Sequence, residues 1–228
     1  SAASDVYKRQ NLLFPRVCST CKSTLSKNET VLCVSCRHDL PIVCHHRTGS
    51  TAMKDIFYGR FAIEHATALL QFQKKGITQE ILHHLKYRGQ KEISNFCGSL
   101  LGSDLSENPS FSNCELVIPV PLHKQKLKKR GYNQIAGFGT ELAKALGIEY
   151  REDILIKVSK TNSQVFKKRF TRFNSEEIFI IQNEDYIQNK HILLVDDIVT
   201  TGATLENCAL QLLKNSNAKL SLATIAIA

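Results

Sequence analysis

From Glu115 to the end of the chain, short β-branched and aliphatic runs alternate with amphipathic stretches. Strands and helices take this rhythm in a parallel sheet. Leu116 to Val120, Ile154 to Val158, Ile192 to Val195 and Leu220 to Ile227 read as strands. Ile135, Phe138, Leu142 and Leu146 recur at helical spacing, and Gly147 follows where a C-terminal cap is wanted. A second helix is expected from near Thr204, with Leu205, Cys208, Ala209, Leu212 and Leu213 as its buried stripe. That places Cys208 in the core. The Ser/Asn/Pro-containing stretch from Ser103 to Asn113 reads as a loop.

With 228 residues and 43% hydrophobic content, the chain can bury the core of one α/β domain and carry a small appendage. The expected division is a cysteine-rich unit over residues 11–48 and the α/β domain over 49–228. Residues 1–10, which have neither an initiator Met nor an apolar period, read as a fragment edge or non-native sequence. No run approaches the roughly 18 apolar residues of a membrane-spanning helix, and no signal peptide opens the chain, so the cytoplasm is the expected compartment. A formal net charge of +9 suits a polyanionic partner, either nucleic acid or a substrate with several phosphates.

Four of the eight cysteines fall within one short stretch. Cys18 and Cys21, then Cys33 and Cys36, form two Cys-x2-Cys pairs separated by eleven residues. That spacing brings four thiolates into a tetrahedron around zinc and leaves no open coordination position, so a structural zinc ribbon is expected. Cys44, His45 and His46 lie just beyond, but four ligands are already supplied. His65, His83 and His84 read as helix or surface residues.

The run from Ile192 to Thr204 passes from an apolar strand through Asp196 and Asp197 to Val199, Thr200, Thr201, Gly202, Ala203 and Thr204. A helix N-terminus offers unpaired amides and the positive end of its dipole to an anion. The threonine hydroxyls can add hydrogen bonds, and the two acids can accept from vicinal ribose hydroxyls. Taken piece by piece, the same residues are an ordinary strand end and a threonine-capped helix.

Upstream, the strand ending in Pro119-Val120-Pro121 runs into five cations from Lys124 to Arg130, suited to a diphosphate leaving group or to a solvated basic loop. Between Lys157 and Asn174, six cations alternate with aromatics. That pattern fits a cover over a phosphate site, a nucleic-acid strand, or an exposed helix with core phenylalanines.

The thirteen residues from Ile192 to Thr204 resemble the signature of the type I phosphoribosyltransferases. The resemblance implies a parallel α/β sheet of that type and 5-phosphoribosyl 1-pyrophosphate as substrate, bound with Mg²⁺ and cleaved at its anomeric carbon. Asp196 and Asp197 would stand at the reacting ribose, with Val199 to Thr204 and Arg130 holding the phosphates.

Four further features carry a wider resemblance. They are the paired cysteines, Leu85-Lys86-Tyr87-Arg88-Gly89, Arg130-Gly131-Tyr132-Asn133-Gln134, and Ser163-Gln164 with Arg169 and Asn174. In this order they resemble the ComF family of competence-associated proteins; Lys129-Arg130 is a mild departure from its usual form. This resemblance implies a link to DNA uptake or nucleotide salvage, with single-stranded DNA and a competence helicase as partners. Lys86, Arg88, Lys167, Lys168 and Arg169 are the expected nucleic-acid contacts. Two functions follow: a phosphoribosyltransferase of unknown acceptor, or a non-catalytic single-strand-binding module that keeps the phosphate loop.

Overall fold

The computed structural model describes residues 15–87, 91–158, 178–214 and 216–228. Five parallel strands form the central sheet: β1 (Ala66–Gln71), β2 (Leu116–Pro119), β3 (Glu149–Tyr150), β6 (His191–Val199) and β7 (Lys219–Ile227). Their spatial order is β1-β7-β6-β2-β3. An all-parallel sheet needs cover on both faces, and the apolar runs of β6 and β7 are buried almost throughout. Along β6, Leu193 and Val195 enter one core cluster while Ile192 and Leu194 enter the other.

The first face is covered by α4 (Ile77–Tyr87), α5 (Lys91–Ser106) and α7 (Ala136–Leu146), whose Leu85, Cys97, Leu101, Phe138 and Leu142 are buried. Two glycines set how closely α5 approaches α7. A Cβ on Gly98 would lie 2.7 Å from the Phe138 carbonyl oxygen, and one on Gly102 would lie 2.8 Å from the Ala145 Cβ. The second face is covered by α8 (Ala203–Leu213), through Leu205, Cys208, Ala209 and Leu212, and by Met53 and Phe57 from the segment around α3 (Ala52–Asp55).

The cysteine-rich segment precedes these layers and contains α1 (Val34–His38). Beyond it, residues 41–43 run antiparallel to β1, with an Ile42–Leu70 bridge and the Val43 N–H on the Leu69 carbonyl at 3.0 Å. This covers an edge that would otherwise expose unpaired backbone groups. A short helix, α2 (His45–Thr48), follows.

The sheet type, α7 with Gly147 in the left-handed region at φ +68°, and α8 with Cys208 fully buried agree with the sequence reading. The strand read at Ile154 to Val158 needs correction. It is β4 (Leu155–Val158), and it pairs antiparallel with β5 (Ile178–Ile181) outside the main sheet. The stretch read as a loop from Ser103 is helical as far as Ser106, because Leu105 continues the buried stripe of Leu101. His84 lies on a helix as read but is buried, with its Nε2 3.0 Å from Lys22 Nζ. Among the described residues, no helix is long and apolar enough to cross a membrane.

Candidate functional site

The chain leaves β2 through α7 toward β3, and leaves β6 through α8 toward β7, so the two crossovers depart in opposite directions. Between the carboxyl ends of β2 and β6 lies the crevice where open α/β sheets bind ligands. Pairing of β2 with β6 ends at Pro119 and Val195, whereas β6 continues beside β7 to Val199 and Ile227. Asp196 and Asp197 therefore lie within the strand rather than at its end, on the flank that β2 has vacated.

Beyond Val199 the backbone turns through Thr200, Thr201 and Gly202 into α8. Gly202 has φ +78°, and a Cβ there would lie 2.5 Å from the Phe57 ring, so both conformation and space exclude a side chain. From the same neighbouring segment, the Arg60 guanidinium donates to the Thr201 carbonyl at 2.8 Å and to Glu206 at 3.2 Å. The result is a concavity of about 60 Å³ lined by Asp196 and by Ile198 through Leu205, open toward the amides at the start of α8.

The two acids have different surroundings. Asp197 is buried; its Oδ2 accepts from Gln134 Nε2 at 3.1 Å and pairs with Lys86 Nζ at 3.1 Å. Gln134 Oε1 in turn accepts from Arg130 at 2.7 Å. Tyr132 donates to the Leu85 carbonyl at 3.0 Å and Asn133 to the Val120 carbonyl at 3.2 Å. The Arg130–Gln134 segment thus ties α4, the exit of β2 and the acid pair together.

Asp196 is half-buried and accepts the Asp197 N–H at 2.8 Å. Burial and the adjacent Asp197 carboxylate push its carboxyl up to about 8, against the opposing pull of Lys86 and Lys157. Upstream, α6 (Lys124–Arg130) is capped by His123 and ends at Gly131 with φ +77°. Its four lysines are exposed, whereas Arg130 turns inward to Gln134.

The four sulfurs of Cys18, Cys21, Cys33 and Cys36 all lie within 4.8 Å of one another. The Cys33 N–H points at Cys18 Sγ at 3.4 Å, and the Cys36 N–H at Cys33 Sγ at 3.5 Å. Burial pushes the Cys36 thiol up to about 12. At Cys18 burial acts in the same sense, but hydrogen bonds from Thr20 and from the backbone outweigh it and bring the thiol down to about 6. Four soft donors converging with amides aimed at sulfur fit a closed tetrahedral zinc site.

The structure brings Asp196, Asp197, Val199 to Thr204, Arg130 and Lys86 into one region. Lys86, read from the sequence as a nucleic-acid contact, points its ammonium at Asp197. Arg88, Lys167, Lys168 and Arg169 lie outside the described residues. Gln134, Arg60 and Phe57 had no assigned role in the sequence reading, and Lys157 was read only as the first cation of the stretch to Asn174. Gln134 sat inside a motif already noted; Arg60 and Phe57 approach the site only through long-range packing, which leaves no local signal.

This fold and loop define a domain of the phosphoribosyltransferase type, and a family model for the phosphoribosyl transferase domain matches residues 136–228. Competence protein ComFC of Bacillus subtilis (strain 168) is 30% identical over 207 residues, covering 89% of this chain and 80% of that protein. DNA utilization protein YhgH of Escherichia coli O157:H7 is 28% identical over 142 residues, covering 60% of this chain and 62% of that protein. A solved hypoxanthine phosphoribosyltransferase from Staphylococcus aureus has 21% identity and a TM-score of 0.36, covering 59% of this chain and 62% of that one. The chain belongs to the ComF family.

Proposed function

We propose that the protein binds 5-phosphoribosyl 1-pyrophosphate with Mg²⁺ in the crevice between β2 and β6. The observation that carries this reading is the Asp196–Thr204 run at the topological switch point, with Gly202 packed against Phe57 and the α8 amides open to the concavity. The 5′-phosphate sits on those amides and on the hydroxyls of Thr200, Thr201 and Thr204. Asp196 and Asp197 accept from the ribose hydroxyls, and Lys86 and Arg130 flank the side on which the diphosphate departs. Bound Mg²⁺ supplies charge neutralisation for that leaving group. In turnover, the anomeric C–O bond breaks with its electron pair leaving on pyrophosphate, and an acceptor bonds to the oxocarbenium-like carbon. No side chain need act as a general base. The cysteine cluster holds one structural zinc. A cytoplasmic setting fits both the reduced thiols and the proposed substrate.

Two observations favour a second role in handling single-stranded DNA: the exposed lysines of α6, and the similarity to a competence protein and a DNA utilization protein. Lys86, Arg88, Lys167, Lys168 and Arg169 are the proposed contacts, and a competence helicase the proposed protein partner.

Titration calorimetry with phosphoribosyl pyrophosphate and Mg²⁺ tests the first reading: the double variant Asp196→Asn, Asp197→Asn should lose binding while melting as a folded protein. Unchanged affinity in that variant would refute the assignment. For the second reading, affinity for a labelled single strand should fall with salt at a log–log slope of about −0.7 per phosphate contact. Glu at Lys167, Lys168 and Arg169 should flatten that slope for all sequences alike.

A further inference from the structure

Just past the cysteine cluster, three more potential ligands converge. Cys44, His46 and Asp104 place one ligand atom each within 4.8 Å of the others. Cys44 Sγ lies 3.3 Å from Asp104 Oδ2, and His46 Nε2 lies 3.9 Å from the same oxygen. Cys44 and His46 lie at the start of α2, while Asp104 projects from α5, so the group spans the junction between the cysteine-rich segment and the body of the domain.

The imidazole supplies an independent observation. The His46 side chain is 1% exposed, yet its Nε2 has no hydrogen-bond partner. A buried orphan nitrogen is costly and calls for an explanation. Its other nitrogen is engaged: Nδ1 lies 2.8 Å from Thr67 Oγ1 on β1, and that hydroxyl is directed at the Ala68 carbonyl. If the Thr67 proton goes to the carbonyl, the Nδ1–H donates to Thr67, and the Nε2 lone pair is left bare and aimed at Cys44 and Asp104. Metal-binding histidines are oriented in this way, with the non-ligating N–H fixed by a neighbour. The Asp104 carboxylate also pairs with the Arg47 guanidinium, which holds it in place.

We propose that Cys44, His46 and Asp104 form a second zinc site, separate from the four-cysteine cluster. A thiolate, an imidazole and a carboxylate make a donor set suited to Zn²⁺, with the fourth position taken by water. The ion replaces the thiol proton that Cys44 otherwise directs at Asp104. It cross-links α2 to α5 beside β1. The site does not depend on phosphoribosyl pyrophosphate binding or on the nucleic-acid reading.

Metal content per chain, measured by plasma mass spectrometry after equilibration with Zn²⁺ and removal of free ion, tests this directly. The expected values are two for the full chain and one each for Cys44→Ala and Asp104→Ala, with circular dichroism confirming that both variants are folded. His38→Ala, at an exposed histidine, should retain two. Thr67→Val keeps the shape of the side chain but removes the Nδ1 acceptor, and should weaken the second ion by about 10–100-fold in a chelator competition. One zinc in the full chain would overturn the proposal, as would two in both Cys44→Ala and Asp104→Ala.

Discussion

The loop from Asp196 to Thr204 is held by other parts of the molecule, whereas the segment around the four cysteines closes its backbone hydrogen bonds on itself. Arg60 fixes the Thr201 carbonyl, the Phe57 ring leaves no room for a side chain at Gly202, and the Ala228 N–H closes on the Val199 carbonyl at 3.0 Å. By contrast, the described backbone hydrogen bonds of residues 16–40 stay within residues 16–42. The segment joins the domain through side chains: Lys22 reaches His84, and Leu25, Val31, Leu32 and Leu40 share a buried cluster with Ile81 and Leu85 of α4. One region, the anion site proposed above, is a loop preorganised by a packed sheet. The other sends Leu25, Val31, Leu32 and Leu40 into the domain core, but its own short loops are expected to depend on what its sulfurs bind.

The largest expected effect tests that contrast at the cysteines. Apparent zinc binding in small structural sites amounts to about 10–16 kcal/mol, so stripping the ion should unfold the segment around Cys18 to Cys36. Hydrogen exchange should then lose protection there while the amides of β6 and β7 keep theirs. Cys21→Ser or Cys33→Ser should lower solubility more than Cys97→Ser, since Cys97 is a buried core thiol with no place in the cluster. Simultaneous loss of protection in the sheet would break the contrast.

At the loop, effects should be smaller and confined to binding and local strain. Gly202→Ala forces a side chain into left-handed backbone against the Phe57 ring, a cost of about 1–3 kcal/mol for the conformation alone. Thermal melting should register that loss together with weaker phosphoribosyl pyrophosphate binding. Cys21→Ser should leave the same affinity unchanged. Thr204→Val should weaken binding by about 1–2 kcal/mol, the scale of a lost hydrogen bond to a charged group, with no change in melting.

The same contrast explains what could be read from the sequence. The β6 strand, the glycine turn and α8 form one unbroken run, so periodicity and local chemistry report them directly. The paired cysteines were legible for a similar reason. β1 was not, because Ala66-Thr67-Ala68-Leu69-Leu70 consists mainly of Ala and Leu, which favour helix, and carries a single β-branched residue. The contact of Lys86 with Asp197 and that of Arg60 with Thr201 join residues more than a hundred positions apart. No local pattern encodes either. Leu155 to Val158 was correctly read as strand but assigned to the wrong sheet, since β-propensity does not choose the partner.

The smallest effect concerns Asp196. Burial, followed by repulsion from Asp197, pushes its carboxyl up to about 8, while an unfolded aspartate titrates near 4. Between these values the folded chain holds a proton that the unfolded chain has released, so stability falls as pH rises through that window. One such proton gives a slope of at most about 1.4 kcal/mol per pH unit, and less at a half-buried side chain with access to water. Melting curves across the window should therefore decline for the native chain and flatten for Asp196→Asn. Adding phosphoribosyl pyrophosphate with Mg²⁺ should reverse the preference, because a carboxylate accepting from ribose hydroxyls must be ionised. Binding near neutral pH should then release a proton, visible as a dependence of the calorimetric enthalpy on the buffer. That part of the dependence should vanish in Asp196→Asn. If it persists unchanged, the proton comes from the ligand or another group, and the resting state of Asp196 is not the neutral acid inferred from its surroundings.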